Sequence, residues 1–251
     1  MTLRDVTISH KDGVAVIAMT RPAKKNALTL AMYDAMRAAL EESAKDISVG
    51  AVLLTGSEGV FTAGNDIGDF LARQGDPSES AALRFIKTLA AFEKPVVAAV
   101  DGLAIGIGTT MLLHCDLVYA SPSASLRIPF VDLGLTPEGG SSVLLPRRCG
   151  TARAAELLLL GDEIPAGRAE SFGLVNAVVP AQALFAHALA KAKALAAKPP
   201  EALAASRRML RGNLGDLLAA MDQEGREFGK RLAMPEARAA LLAFANRKRE
   251  G

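Results

Sequence analysis

The sequence predicts an α/β fold with a helical C-terminal part, and three observations predict it. Short apolar runs that read as strands alternate with stretches carrying apolar residues at helical spacing, an order that argues for parallel strands joined by right-handed crossovers. Two of these strands run into glycine turns, around Gly64 and Gly106, and ligands of open α/β folds bind where such strand ends diverge. From Pro180 onward the chain is alanine-rich helix, broken at Pro199-Pro200, at Gly212 to Gly215 and at Met234-Pro235. The expected division is an α/β core over 1–195 and a helical region over 196–251, whose apolar stripes need a surface to cover.

The elements follow in order. Val6 to Met19 reads as a β-hairpin around Asp12-Gly13, a favoured turn pair. Arg21-Pro22 ends its second strand, Asn26-Ala-Leu-Thr29 offers a helix cap, and Leu30 to Ala44 is helical by spacing. Ala51 to Thr55 is a buried strand stopped by Gly56, and Phe61 to Ile67 is a glycine turn leading towards a helix. Arg73 to Ser80 reads as a loop, Ala81 to Phe92 as a helix, and Pro95 to Val100 as an apolar strand. Glycines 102, 106 and 108 then turn the backbone into a short helix over Thr109 to Leu113. Cys115 to Ala120 and Ser125 to Ile128 are short strands, and Pro129 to Leu135 is irregular. Thr136 reads as an N-cap with Pro137 in the first helical position. A helix from about Thr151 ends at Gly161, a second is stopped by Gly173, and Leu174 to Val179 is a strand.

Composition removes several functions. The 251 residues are 50% hydrophobic and 22% charged, so the chain is globular. A net charge of +2 gives no reason to expect a nucleic-acid partner. Basic clusters at 147–148, 207–211 and 247–249 read as solvated helix faces, with a polyphosphate ligand as the alternative. Two cysteines without metal-ligand spacing fit a reducing compartment. The N-terminus shows no signal pattern and no apolar run reaches about 18 residues; the expectation is a cytoplasmic protein with no membrane association. Three histidines and no tryptophan leave little material for a metal site or a stacking platform.

The chemistry starts from the turn at Gly102 to Thr110. A strand, a glycine turn and a helix start leave backbone N–H groups without intrahelical partners, and such a site binds negative charge. Neither glycine turn has the spacing of a nucleotide motif. Two N–H donors, each at a helix start and converging on one point, make the geometry of an oxyanion hole.

The segments Thr20-Arg-Pro-Ala-Lys-Lys-Asn-Ala-Leu28, Phe61-Thr-Ala-Gly-Asn-Asp-Ile67, Lys94-Pro-Val-Val-Ala-Ala-Val-Asp-Gly102, Cys115-Asp-Leu-Val-Tyr-Ala120 and Ala166 to Val175 resemble the enoyl-CoA hydratase/isomerase (crotonase) superfamily, in family order and over essentially the whole chain. The resemblance implies a spiral of ββα units, a C-terminal helical part used for trimerisation (as a homotrimer or hexamer), and an acyl-CoA thioester as substrate, with no separate cofactor. It puts the oxyanion donors on the N–H groups of Asn65 and Ile107. It puts substrate contacts at Lys24, Ala63, Gly64, Asp66, Ile67, Gly106, Phe130 and Leu135, and at Phe244 and Lys248, which reach a neighbouring subunit's ligand in relatives.

The family's two hydratase glutamates fall here on Thr110 and Phe130, neither of which can move a proton as a carboxylate does. The stretch Pro129 to Ser142, with Pro137-Glu138-Gly139, resembles the peroxisomal-type Δ3,Δ2-enoyl-CoA isomerases, in which the glutamate of this motif is the catalytic base. The resemblance therefore implies Glu138 as sole acid/base; the plainer alternative is a first-turn helix glutamate favoured by the macrodipole. Asp66 reads as a helix cap, Asp132 as a backup acid, and His114 as a packed core residue. Phe130, Ile107, Leu135 and Leu133 are the candidate apolar lining. Other readings stay open: a hydratase, a thioester hydrolase, or a non-catalytic RNA-binding scaffold.

Overall fold

The structure, a computed structural model, describes residues 2–3, 5–72 and 80–250, with side chains over 5–69 and 80–243. The expected loop at 73–79 lies outside the described residues.

The main sheet joins β1 (Thr2–Leu3), β2 (Val6–Lys11), β3 (Val14–Met19), β4 (Ala51–Thr55), β5 (Val96–Val100), β7 (Leu117–Ala120) and β10 (Ala177–Val178) in that spatial order. The hairpin end is antiparallel, and from β3 onward neighbours run parallel. Asp12 and Gly13, at φ 50° and 78°, form the hairpin turn, the left-handed pair whose twist matches the flanking strands. A small second sheet holds β6 (Leu103–Ile105), β8 (Ser125–Arg127) and β9 (Ile164–Pro165).

Alternation along the parallel strands divides the interior into two cores. Ala15, Ile17, Val52, Leu54, Val96, Ala98 and Val118 face the larger one. There they meet α1 (Leu30–Lys45) and α3 (Ala81–Ala91) through Tyr33, Met36, Leu40, Phe85 and Leu89. Val14, Val16, Leu53, Val97 and Tyr119 face the other, covered by Leu184, Ala188, Leu189 and Ala192 of α8 (Ala181–Ala196). Thr29 caps α1 by accepting from the Met32 N–H at 3.2 Å, and Ser80 caps α3 in the same way.

The shorter helices are α2 (Ile67–Ala72), the single turn α4 (Ile107–Thr110) continued by a 3₁₀ segment to His114, α5 (Ser141–Cys149), α6 (Thr151–Ala155) and α7 (Ala166–Ser171). The expected helix start at Thr136 is corrected: Gly139 and Gly140 both adopt left-handed φ, at 69° and 77°, which no right-handed helix accommodates. The helix begins at Ser141, so Glu138 stands before it and not in its first turn.

Three more helices follow, α9 (Pro200–Arg211), α10 (Leu214–Leu232) and α11 (Pro235–Glu250). Arg207 and Arg211 of α9 correct the reading of a solvated face, while Arg208 is exposed as that reading expects. Arg207, only 6% exposed, pairs with Asp116 at 2.9 Å, and Arg211 pairs with the same carboxylate at 3.3 Å. Arg148 likewise turns inward, donating to the Leu113 and Cys115 carbonyls. The side chains of the cluster at 247–249 lie outside the described residues. The Asp116 cluster ties the helical region to the core. Among the described residues, no helix is long and apolar enough to cross a membrane.

Candidate active site

Two short parallel bridges hold the Gly64 turn, one to the segment before α1 and one to the strand that leads into Gly106. Leu28 pairs with Asn65: its N–H donates to the Gly64 carbonyl at 2.8 Å, and its carbonyl accepts from Asp66 at 2.9 Å. Thr62 pairs with Ala104 by the same pattern, to Leu103 and Ile105. In such a bridge the paired residue's own N–H points away from its partner, which leaves the Asn65 N–H free. Ile107 is the first residue of α4, so its N–H has no intrahelical acceptor. Neither N–H has an acceptor among the described residues.

The turns require their glycines. Gly106 sits at φ 57°, ψ −118°, a conformation reserved for glycine. A Cβ on Gly64, at φ +83°, would stand 2.7 Å from the Ile105 carbonyl oxygen, and one on Gly108 would stand 2.5 Å from Thr62 Cγ2. The backbones therefore touch where the donors are. The Phe130 ring stands next to Gly106 and packs edge-on against Phe228 of α10, with centroids 6.1 Å apart.

Glu138 meets the last residue of α4. The Thr110 hydroxyl donates to its Oε1 at 3.1 Å. The residue is only partly covered in surface terms, but its carboxyl lies deep among protein atoms. Burial, with the negative Glu224 carboxylate adding to it, pushes the Glu138 pKa from 4.5 to about 7, against the lowering effect of the Thr110 bond. Sequence leaves open which of two influences prevails, helix terminus or apolar surroundings; burial does, because the α5 terminus is already occupied. Glu224 of α10 accepts from the Gly140 N–H at 2.6 Å and from the Ser142 N–H and hydroxyl at 2.9 and 2.5 Å.

Other contacts fix the same loop. The Ser141 hydroxyl donates to the Glu138 carbonyl at 2.7 Å. His114, buried and with its pKa lowered to about 4 by desolvation, is neutral, so its Nε2–H donates to the Gly139 carbonyl at 2.7 Å. His114 is thus a core residue, as expected, and it also anchors the carbonyl beside Glu138.

The remaining predicted positions fall as follows. Ala63 donates its N–H to the Lys25 carbonyl at 2.9 Å; Lys24, exposed, lies one residue before that contact. The Asp66 carboxylate caps α2 through the Gly68 N–H at 2.9 Å and pairs with Arg21 at 2.7 Å, so its side chain is fully engaged. Ile67 opens α2. The Ile107 side chain is completely buried in the larger core, with Leu135 also in that core. Asp132 pairs with Arg127 at 2.9 Å near the surface. The side chains of Phe244 and Lys248 lie outside the described residues. Among the described residues, no group of three or more His, Cys, Asp or Glu is arranged to hold a metal.

Sequence reasoning missed Glu224 and Tyr33. The Tyr33 hydroxyl donates to Asn65 Oδ1 at 2.6 Å. Each acts across a long stretch of sequence and belongs to no local motif, so no signal points to either.

The family model described as Enoyl-CoA hydratase/isomerase matches residues 9–250. "Enoyl-CoA delta isomerase 2" of Rattus norvegicus is 34% identical over 98% of this chain, which spans 64% of that relative's length. "2,3-dehydroadipyl-CoA hydratase" of Escherichia coli is 31% identical over 98% of this chain and 97% of its own. The solved structure of OdaA from Pseudomonas aeruginosa superposes with a TM-score of 0.92 at 44% identity, covering 96% of this chain and 98% of its own. The chain belongs to the enoyl-CoA hydratase/isomerase family and has the crotonase fold.

Proposed function

We propose that this enzyme is a Δ3,Δ2-enoyl-CoA isomerase with Glu138 as its single acid/base. The observation that carries the reading is a deeply set carboxylate, near neutral in pKa, held by Thr110 at the position where a hydratase would carry a glutamate. The thioester oxygen of a 3-enoyl-CoA accepts from the Asn65 and Ile107 N–H groups. Glu138 takes a proton from C2, the electron pair moves into a dienolate whose charge rests on the thioester oxygen, and Glu138 returns the proton at C4. The double bond then lies between C2 and C3, in conjugation. A pKa near neutrality suits a group that must accept and release the same proton. The delta isomerase name of the rat relative supports this reading.

The E. coli relative's name favours a second reading, hydration of a 2-enoyl-CoA. One pair of assays separates them. Wild-type enzyme given a 3-enoyl-CoA should yield the 2-trans product, with Glu138→Gln slower by about 10²–10⁴-fold and acyl-CoA affinity retained. Efficient conversion of a 2-enoyl-CoA to the 3-hydroxyacyl product, or wild-type turnover in Glu138→Gln, would refute the isomerase reading.

A further inference from the structure

Tyr33 lies on α1, 1% exposed, with its ring 5.8 Å from that of Phe85. A fully buried phenol needs a partner for its O–H. The partner is the side chain of Asn65, 32 residues away, at 2.6 Å. This bond occupies Asn65 Oδ1, while Asn65 Nδ2 donates to no group among the described residues. Asn65 is itself only partly buried, so the amide has one end anchored in the core and one end facing the site.

We infer that Tyr33 is a positioning residue: its hydroxyl fixes the Asn65 side-chain amide so that the NH₂ end, and not the carbonyl, is presented to the interior of the site. The electrostatics agree with that orientation. The Tyr33 hydroxyl is close enough to Glu138 for the carboxylate's charge, added to burial, to raise the phenol pKa well above its usual value. An amide NH₂ next to a carboxylate is attracted to it, and an amide oxygen is repelled. Without the phenol the amide could rotate, and half of its orientations would aim oxygen at negative charge. The same anchor steadies the residue whose backbone N–H is the proposed oxyanion donor; in this the inference rests on the isomerase reading.

The test is Tyr33→Phe, which keeps the ring and its contact with Phe85. Isomerisation of a 3-enoyl-CoA should slow by about tenfold in kcat, the scale of one hydrogen bond, with KM little changed. The Glu138 carboxyl midpoint, followed by carbon-13 NMR, should move upward, because the released amide can turn its oxygen toward the carboxylate and disfavour the charged form. Tyr33→Phe combined with Asn65→Ala should be no slower than Asn65→Ala alone. Asn65→Asp, which keeps an acceptor for Tyr33 and replaces the NH₂ by oxygen, should raise the midpoint further. A Tyr33→Phe enzyme with an unmoved midpoint, or losses that add in the double variant, would overturn the inference. Should the wild type fail to isomerise, the isomerase reading falls, and the two midpoints still decide the role of Tyr33.

Discussion

At Gly106 the chain is shaped by its own backbone. The turn runs from β6 into α4, its N–H donates to the Arg127 carbonyl at 2.8 Å, and the Thr62–Ala104 bridge clamps the neighbouring turn against it. At Gly139 and Gly140 the chain is shaped by side chains brought from elsewhere: His114, 25 residues away, and Glu224, 84 residues away. The first turn carries backbone donors, which need only geometry. The second presents a carboxylate whose protonation must be set, and that takes charge and burial from other elements.

The largest expected effect breaks the contact between the first turn and the Gly64 turn clamped against it. In Gly64→Ala the added Cβ would meet the Ile105 carbonyl at 2.7 Å, in a left-handed conformation as well, so the two backbones must separate and the Asn65 donor must move. If the Asn65 N–H serves as the proposed oxyanion donor, its loss costs about 10²–10³ in kcat. Gly150→Ala is the control. It has the same kind of φ, +79°, with nothing within 4 Å of the added carbon, so about 1–3 kcal/mol of stability is lost and kcat is kept. Steady-state kinetics and thermal melts of both variants check this; equal losses of kcat would show that the turn does not depend on backbone contact.

This difference also explains what can be read in the sequence. Glycines 64, 106 and 108 mark their turns because the need for glycine is local. The hairpin at Asp12-Gly13 and the apolar strand runs of 14–17 and 51–54 are legible for the same reason, whereas the division of those runs between two cores is not. The start of α5 is misleading in sequence because Thr136-Pro137 carries the local chemistry of a helix N-terminus, while the cap actually used is Glu224, on a helix that only folding brings near. Arg207 looks solvated because its partner, Asp116, is 91 residues distant. Glu138 can be singled out only through resemblance to a subgroup; its near-neutral pKa arises from depth and from Glu224, neither of which has a local pattern.

The second turn should show itself in stability. The folded-state pKa of Glu138 is raised, so the folded protein holds a proton that the unfolded chain has released between pH 4.5 and about 7. Stability therefore falls as pH rises through that window, then levels off. A midpoint moved from 4.5 to about 7 corresponds to about 3 kcal/mol. Glu138→Gln, neutral at every pH, should be more stable than wild type by about that amount at pH 8, with the difference gone by about pH 4.5. Urea melts at the two pH values check it, and a constant difference between the proteins would mean that Glu138 titrates normally.

The smallest effect, and the one that sharpens the comparison most, comes from Glu224→Gln. Glutamine keeps one acceptor oxygen but sets an NH₂ against either Gly140 N–H or the Ser142 groups, which should cost about 1–2 kcal/mol of stability. It also removes the negative charge that helps raise Glu138. With that charge gone Glu138 ionises more readily, so the acid limb of kcat/KM for the proposed 3-enoyl-CoA substrate should move to lower pH. Glu224→Ala loses the charge and all three hydrogen bonds, so it should share the pH displacement and lose more stability. If the two variants melt lower but keep the wild-type acid limb, Glu224 serves the loop's shape alone. If the limb moves equally in both, the helix that ties down the second turn also sets the proton affinity of its carboxylate, a coupling that the backbone-built first turn has no means to make.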